Sequence, residues 1–362
     1  MSNTIHTLEW QGEKGMIRLE ASYQAMLQEK TNNLDGDICP TGKLEIVERA
    51  SLTAYFNDKR LDDSWNPVFW KVMESSVPGV YQIRGISKIG IRAEMREKVQ
   101  QFLADAIAEG TPVSVRAFRL DHQIKQVRCD LTSHQNTLQK IDMQKDLPTR
   151  QEARRRMKAY NNLYNEGGEG YVPRIYSAEE REYAVDQIAV CQEKIKDLTA
   201  QKQQLLFDHA TEYCIYQIKE NEAYHGIRFF SSADQEKMGV TLHLGDYDMV
   251  YRGNMTEISG TDKLDAIFAK CNQDIPAGYM GHSLSVSDVI VLKNGIAVTA
   301  FSVEPTGFQE KPNLEAELFQ NAQRAFCQHQ RNQALQDEGG TLWRIGIEMT
   351  AMAFASEKTR IF

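Results

Sequence analysis

Two apolar stripes with coiled-coil spacing constrain this chain more than any other feature of its sequence. Leu120, Ile124, Val127, Leu131, His134, Leu138 and Ile141 step by four and three without a break, so they share one helix face with a polar interruption at His134. A second seam runs Ile188, Cys191, Ile195, Leu198, Lys202 and Leu205. Its helix has a defined start, because Ser177 and Glu180 make a capping box in which each side chain satisfies the other residue's backbone N–H. Two long polar helices with one apolar stripe each pair most simply as an antiparallel coiled-coil hairpin. The same stripes suit dimerisation, but pairing within one chain costs less entropy and is preferred.

The connector of this hairpin, 145–176, concentrates basic charge: Lys145, Arg150, Arg154, Arg155, Arg156 and Lys158. Tyr160, Tyr164, Tyr171 and Tyr176 follow around the sequence GGEG. Cations interleaved with stacking rings suit the phosphates and bases of nucleic acid, or an acidic protein surface. The plainer alternative is a solvated helix face, since Glu152 and nearby acids offset part of the charge.

Before the hairpin, residues 1–118 read as a small α+β domain. Ile5, Leu8 and Trp10, then QGEKG, then Met16, Ile17 and Leu19 suggest a short hairpin. The polar run EKTNNLDGDICPTGK reads as loop, and Leu44, Val47, Leu52 and Phe56 suit one face of a helix. Trp65, Phe69 and Trp70 serve either as core anchors, the simpler reading, or as an exposed recognition patch. A strand over 80–86, a helix over 92–109 and a strand over 112–118 complete the β-α-β order.

Composition narrows the function classes. Charged residues balance at a net −8 over 362 residues, with a pI near 5.6. That is too mild for a mimic of DNA and unlike a dedicated basic nucleic-acid-binding protein. The mean hydropathy of −0.50 fits much exposed helix. Six cysteines, at 39, 129, 191, 214, 271 and 327, make no CxxC, and the eight histidines make no HxH or HExxH. Cys327 and His329 stand two apart on an expected helix and face apart. Asp246 and Asp248 suit a turn better than a cation. No metal and no cofactor is expected. Scattered cysteines, an N-terminus without a basic and apolar leader, and no long apolar run point to the cytoplasm.

Residues 209–362 read as a second α+β domain. YCIYQIK, GIRFF, VTLHL, MVYRG, VIVLKNG and IAVTAFSV suggest strands, the last two joined by an Asn-Gly turn. Leu264–Cys271 is an expected helix; Asn313–Ala334 is another, and TLWRIGIEMTAMAF a final strand-like run. The order IYQIK, RFF, GDYDMVYRG, LDAIFAKCN, P-x-G-Y, GHSLSVSDVIVL and a closing GF resembles the YodL-like domain family, over about a hundred residues from Cys214 to Pro312. Where that family tends to carry an aspartate in V-D-S-x-G-F, this chain has Glu304 and Pro305. The RRRMKAYNNLYNEGGEGYVP connector is similar to segments beside such domains in proteins of conjugative elements. The resemblance implies an accessory protein that travels with mobile DNA, and it implies no particular reaction.

Within GHSLSVSDV, His282, Ser283, Ser285 and Asp288 invite a nucleophilic reading. Neighbours such as His282 and Ser283 rarely reach each other as base and nucleophile, and there is no GxSxG elbow. Side-chain bonds that brace the loop are the preferred role. A D…(D/E)xK nuclease built on Asp288 and Lys293 lacks its intermediate acid.

The expected architecture is therefore α+β: a small N-terminal domain over 1–118, a coiled-coil hairpin over 119–208 and a YodL-like domain over 209–362. The expected function is non-enzymatic binding, as a mobile-element-encoded anti-defence factor that grips a CRISPR or restriction effector, a protein or ribonucleoprotein of the host. The alternative is a nucleic-acid-binding accessory of element transfer or replication. A third reading is an enzyme on nucleic acid with an unrecognised site.

Overall fold

Along residues 17–29 every second side chain faces inward, and this row organises the N-terminal part. The computed structural model describes residues 4–34, 37–64, 70–84, 86–165, 174–222, 224 and 226–334. Strands β1 (His6–Gln11), β2 (Met16–Leu34), β3 (Asp37–Phe56) and β4 (Lys59–Ser64) form an antiparallel sheet in that order. Ile17, Leu19, Ala21, Tyr23, Ala25, Leu27 and Glu29 of β2 are all buried, the two-residue period of a half-buried strand. The short hairpin read from the sequence is the start of this sheet.

The helix expected over 44–56 is replaced by β3, whose Phe56 lies opposite Ile17 and whose Leu44 lies opposite Glu29. Its buried residues are Leu44, Ala50, Leu52 and Ala54. The alanines stand opposite Tyr23 and Leu19, so the large side chains come from the partner strand. That division left the period of β3 faint in the sequence. Most of the stretch read as loop, 29–43, continues β2 and β3.

A second sheet holds β5 (Val72–Glu74), β6 (Val80–Ile83) and β7 (Ile86–Arg92). Helix α1 (Ala93–Glu109) buries Val99, Phe102, Leu103 and Ala106 and packs on β2. The strand expected over 112–118 is instead the start of α2 (Val113–Asp142). The carbonyl of Pro112 accepts the N–H groups of Val115 and Arg116 at 3.0 Å each, a helical turn that proline suits at a helix start.

Residues 117–209 pack as one compact unit, and the described residues up to Arg116 and from Ala210 on pack as another. In the helical unit, α2 and α4 (Ala178–His209) run antiparallel: Asp121 meets Lys202 at one end and Asp142 meets Arg181 at the other. The seam is that of the sequence, with Ile124, Val127, Cys191 and Leu198 buried together and Leu120, Leu131 and Ile195 against them. His134 meets Tyr183 edge-on, with ring centres 6.4 Å apart. The capping box is present: Ser177 N donates to Glu180 Oε2 at 2.8 Å and Glu180 N to Ser177 Oγ at 3.2 Å. At 1.5 Å per residue α4 is roughly 48 Å long. The connector carries a third helix, α3 (Arg150–Asn165).

The second sheet-bearing part holds β8 (Glu212–Ile218), α5 (Ser232–Lys237), β9 (Tyr247–Asn254), α6 (Lys263–Gln273), β10 (Val289–Asn294), β11 (Ala297–Val303), β12 (Phe308–Glu310) and helix α7 over 312–334. Its sheet is antiparallel with order β12-β11-β10-β8-β9. The expected turn after Asn294 is made, with Gly295 at φ +61°. GIRFF and VTLHL are not strands. Phe229 sits in a turn at φ +70°, and Leu242 and Leu244 join the core as packing groups outside any ladder.

Helix α7 fastens this part to the N-terminal sheet. Leu314 and Leu318 near its start enter the core of the β8–β12 sheet. Near its end Arg331 forms a two-pronged ion pair with Glu29, its Nε donating to Oε2 at 2.7 Å, and Gln330 Oε1 accepts Glu29 N at 2.9 Å. Gly42 N also donates to Glu29, at 2.7 Å. Glu29 thus ends the inward-facing row of β2 as a buried carboxylate, held below its usual pKa by the Arg331 guanidinium. The strand-like run expected over 341–354 lies outside the described residues.

Candidate functional site

The basic cluster of the connector divides in two. Five of its six cations and Tyr160 lie on α3, and Lys145 just precedes that helix. Arg156 is committed to the fold, donating to Asp146 Oδ2 at 2.6 Å and Glu152 Oε1 at 3.0 Å. Lys145, Arg150, Arg154, Arg155 and Lys158 are exposed. Arg155 is 85% exposed and reaches Glu152 only at 3.9 Å, while Arg154 and Lys158 have no ion pair among the described residues. Arg150 stands in the first turn, where a cation opposes the helix dipole, and Glu179 compensates by accepting its backbone N–H at 3.0 Å.

Further along α3, Tyr160 is 47% exposed and lines an open groove of about 540 Å³ with Gln144, Asp146, Arg156, Arg174 and Ile175. Arg174 stacks over the Tyr176 ring at 5.0 Å. Gln144 clasps the backbone of Tyr176, accepting its N–H at 2.8 Å and donating to its carbonyl at 2.9 Å. The groove wall is therefore held by side chain to backbone bonds. The side chain of Tyr164 lies outside the described residues.

The aromatic patch does not survive as a recognition surface at Trp70, which is buried at 6% exposure. An indole of that size adds more free energy in a core than on a surface, as the simpler reading held. Trp65 and Phe69 lie outside the described residues.

The GHSLSVSDV loop converges on a residue the sequence reading missed, Gln217 of β8. Its amide nitrogen lies 2.9 Å from Asp288 Oδ2 and 2.9 Å from the His282 carbonyl, and its Oε1 accepts His282 N at 3.1 Å. Asp288 Oδ2 also accepts Ser285 N at 2.8 Å, and Ser285 Oγ donates to the Ser283 carbonyl at 2.9 Å. Asn272 of α6 ties the loop from below, donating to the Leu284 carbonyl at 3.0 Å. The signal for Gln217 was present: it is a polar residue at an inward-facing place in an otherwise apolar strand, and such a residue needs partners.

This geometry braces the loop and assembles no triad. His282 Nδ1 lies 2.7 Å from the Ser283 carbonyl and 3.1 Å from the Gln217 amide nitrogen, so its contacts are with the loop's own brace. Asp288 Oδ2 is 3.7 Å from the same nitrogen, beyond hydrogen-bond reach. Among the described residues no serine hydroxyl bonds to His282. Burial pushes the Asp288 carboxyl up to about 7 against the donors that favour its charge. The glycine of the motif has a steric reason. A Cβ at Gly281 would lie 2.0 Å from Gln217 Oε1 and 3.1 Å from Val250 Cβ. Gly281→Ala is therefore expected to break the Gln217 network and cost about 2–3 kcal/mol, read as a lowered unfolding midpoint with unchanged α-helical signal from α2 and α4.

Glu304, where the resembling family tends to have aspartate, is fully engaged. It accepts Ser232 N at 3.1 Å, Ser302 Oγ at 2.7 Å and the Ser232 hydroxyl. Among the described residues no group of three His, Cys, Asp or Glu is placed to hold a metal ion, and no helix is long and apolar enough to cross a membrane.

Residues 212–313 match the family model of the YodL-like domain. No curated protein and no solved structure matches the chain significantly. The chain carries a YodL-like domain in its C-terminal part, spanning β8 to the first residues of α7.

Proposed function

We propose that this chain, with its YodL-like domain as an internally braced scaffold, is a binding protein whose partner is gripped by the exposed cations and tyrosine of α3. The partner class is a protein or ribonucleoprotein effector of a host defence system, CRISPR or restriction, and the chain acts as an anti-defence factor carried by a mobile element. The observations that support binding at α3 are the exposed Arg154 and Arg155 and, on another face of the same helix, the exposed Tyr160 at a groove of about 540 Å³ that Arg156 and Arg174 also line. Exposed arginines and tyrosines are the residues that anchor interfaces. The overall acidity, net −8, favours a local contact with an acidic surface over broad wrapping of nucleic acid. The braced His282–Asp288 loop offers no nucleophile-base pair, which favours binding over catalysis.

Capture of partners from a bacterial host, with and without nuclease treatment, tests this reading. The double change Arg154→Glu, Arg155→Glu is expected to weaken capture at least about ten-fold, because like charges then meet across the contact. Undiminished capture by that variant sinks the assignment to α3. The same two arginines support a second reading, a nucleic-acid accessory of element transfer or replication. In that case nuclease abolishes capture and affinity falls steeply with salt, by close to one logarithmic unit of slope per phosphate contacted.

A further inference from the structure

A cavity of about 460 Å³ opens between α5, the segment 239–242, the end of β12 and the start of α7. Val240, Leu242, Tyr247 and Leu314 supply apolar wall, and Ser232 and Lys311 line it with polar groups. That volume is within the range of small-molecule sites, and the lining is more polar than apolar. Lys311 is half-buried, and its place is fixed by its backbone N–H, which donates to the Ala300 carbonyl at 2.9 Å. Among the described residues its ammonium has no hydrogen bond and no ion pair.

The carboxylate that acts on Lys311 most strongly is Glu304, yet Glu304 spends its oxygens on the Ser232 N–H and the hydroxyls of Ser232 and Ser302. Burial outweighs the pull of Glu304 and lowers the Lys311 pKa from the usual lysine value. A partly desolvated cation without a partner is costly, and an anion that enters the cavity removes that cost. Two exposed acids, Glu236 and Glu310, also lie on the lining.

We propose that this cavity binds a small molecule that joins one carboxylate or phosphate group to an apolar body, with Lys311 as its counter-ion. The site is separate from α3 and stands or falls independently of the partner proposed there.

Reductive methylation of the intact chain, read residue by residue by mass spectrometry, tests it on the native protein. Sodium benzoate and phenyl phosphate are the probes, with sodium chloride as the ionic control and the exposed Lys140 as the internal reference. At ~20 mM, either probe is expected to slow modification of Lys311 about three-fold or more while Lys140 is unchanged. Protection by benzoate alone assigns a carboxylate ligand, and protection by phenyl phosphate alone assigns a phosphate. No protection by either, or equal protection at Lys140, overturns the proposal. The probes are also expected to raise the unfolding temperature of the native chain and of Lys311→Arg but not of Lys311→Met. A shift that persists in Lys311→Met overturns it too, and if that variant does not fold the labelling result decides.

Discussion

Asp121→Ala is expected to destabilise the helical unit by about 1.5–3 kcal/mol, the cost of removing a charge-assisted hydrogen bond from a buried ammonium. Lys202 is 3% exposed, and its Nζ lies 2.6 Å from Asp121 Oδ1. It occupies a seam position that would otherwise take an apolar residue, between Leu198 and Leu205. Removing the carboxylate takes from the ammonium the acidic partner that it holds at 2.6 Å. Replacing both partners, Asp121→Leu with Lys202→Met, is expected to recover most of the loss, because a well-packed apolar pair of similar volume bears no desolvation cost. Hydrogen exchange of the α2 and α4 amides reads the effect within this unit. A single change that costs under about 1 kcal/mol would show that the pair is solvated and contributes little. The pair also fixes the pairing of the two helices, since a buried polar contact is satisfied in one register only.

The second large effect concerns pH. The Asp288 carboxyl titrates near 7 in the folded chain because burial penalises its charge, against roughly 3.9 when unfolded. A raised carboxylate pKa means that the folded state binds a proton more tightly than the unfolded state. Its contribution is therefore most favourable below about 4 and is lost as pH rises to about 7, by roughly 4 kcal/mol. Asp288→Asn removes this dependence. The amide oxygen still accepts Ser285 N and the Gln217 amide, as Oδ2 does now. The variant is expected to be more stable than the native chain above pH 7 and to lose that advantage toward about pH 4. Denaturant unfolding at several pH values checks it; parallel pH profiles for the two proteins would contradict it. The Glu29–Arg331 pair works in the opposite sense, since its lowered carboxylate pKa adds stability that is lost as pH falls. The comparison with Asp288→Asn isolates the one group.

Much of this architecture was legible in the residues, and the reason is range. The seams at 120–141 and 188–205, the Ser177–Glu180 box, α1, α6 and the Asn294 turn all depend on contacts a few residues apart or on one periodic face. The GHSLSVSDV motif was legible as a brace for the same reason, since Ser285 and Asp288 bond across three residues. Local chemistry misled where a distant partner supplied half of the pattern. β3 read as a helix because Leu19 and Tyr23 on β2 provide the bulk that its own alanines lack.

Sequence alone therefore determined the helical hairpin, the YodL-like segment and the cations of α3, all of which rest on short-range spacing or on the identity of a continuous run. Only the tertiary structure decided that Gln217 is the hub of the GHSLSVSDV loop, that Trp70 is core, and that Arg156 is bound to Asp146 and Glu152 while Arg154 and Arg155 are exposed. It alone joined Glu29 to Arg331 and placed the half-buried Lys311 on the lining of a cavity. Burial and partner choice are properties of where distant segments meet, and no local pattern carries the energy of a contact made across three hundred residues.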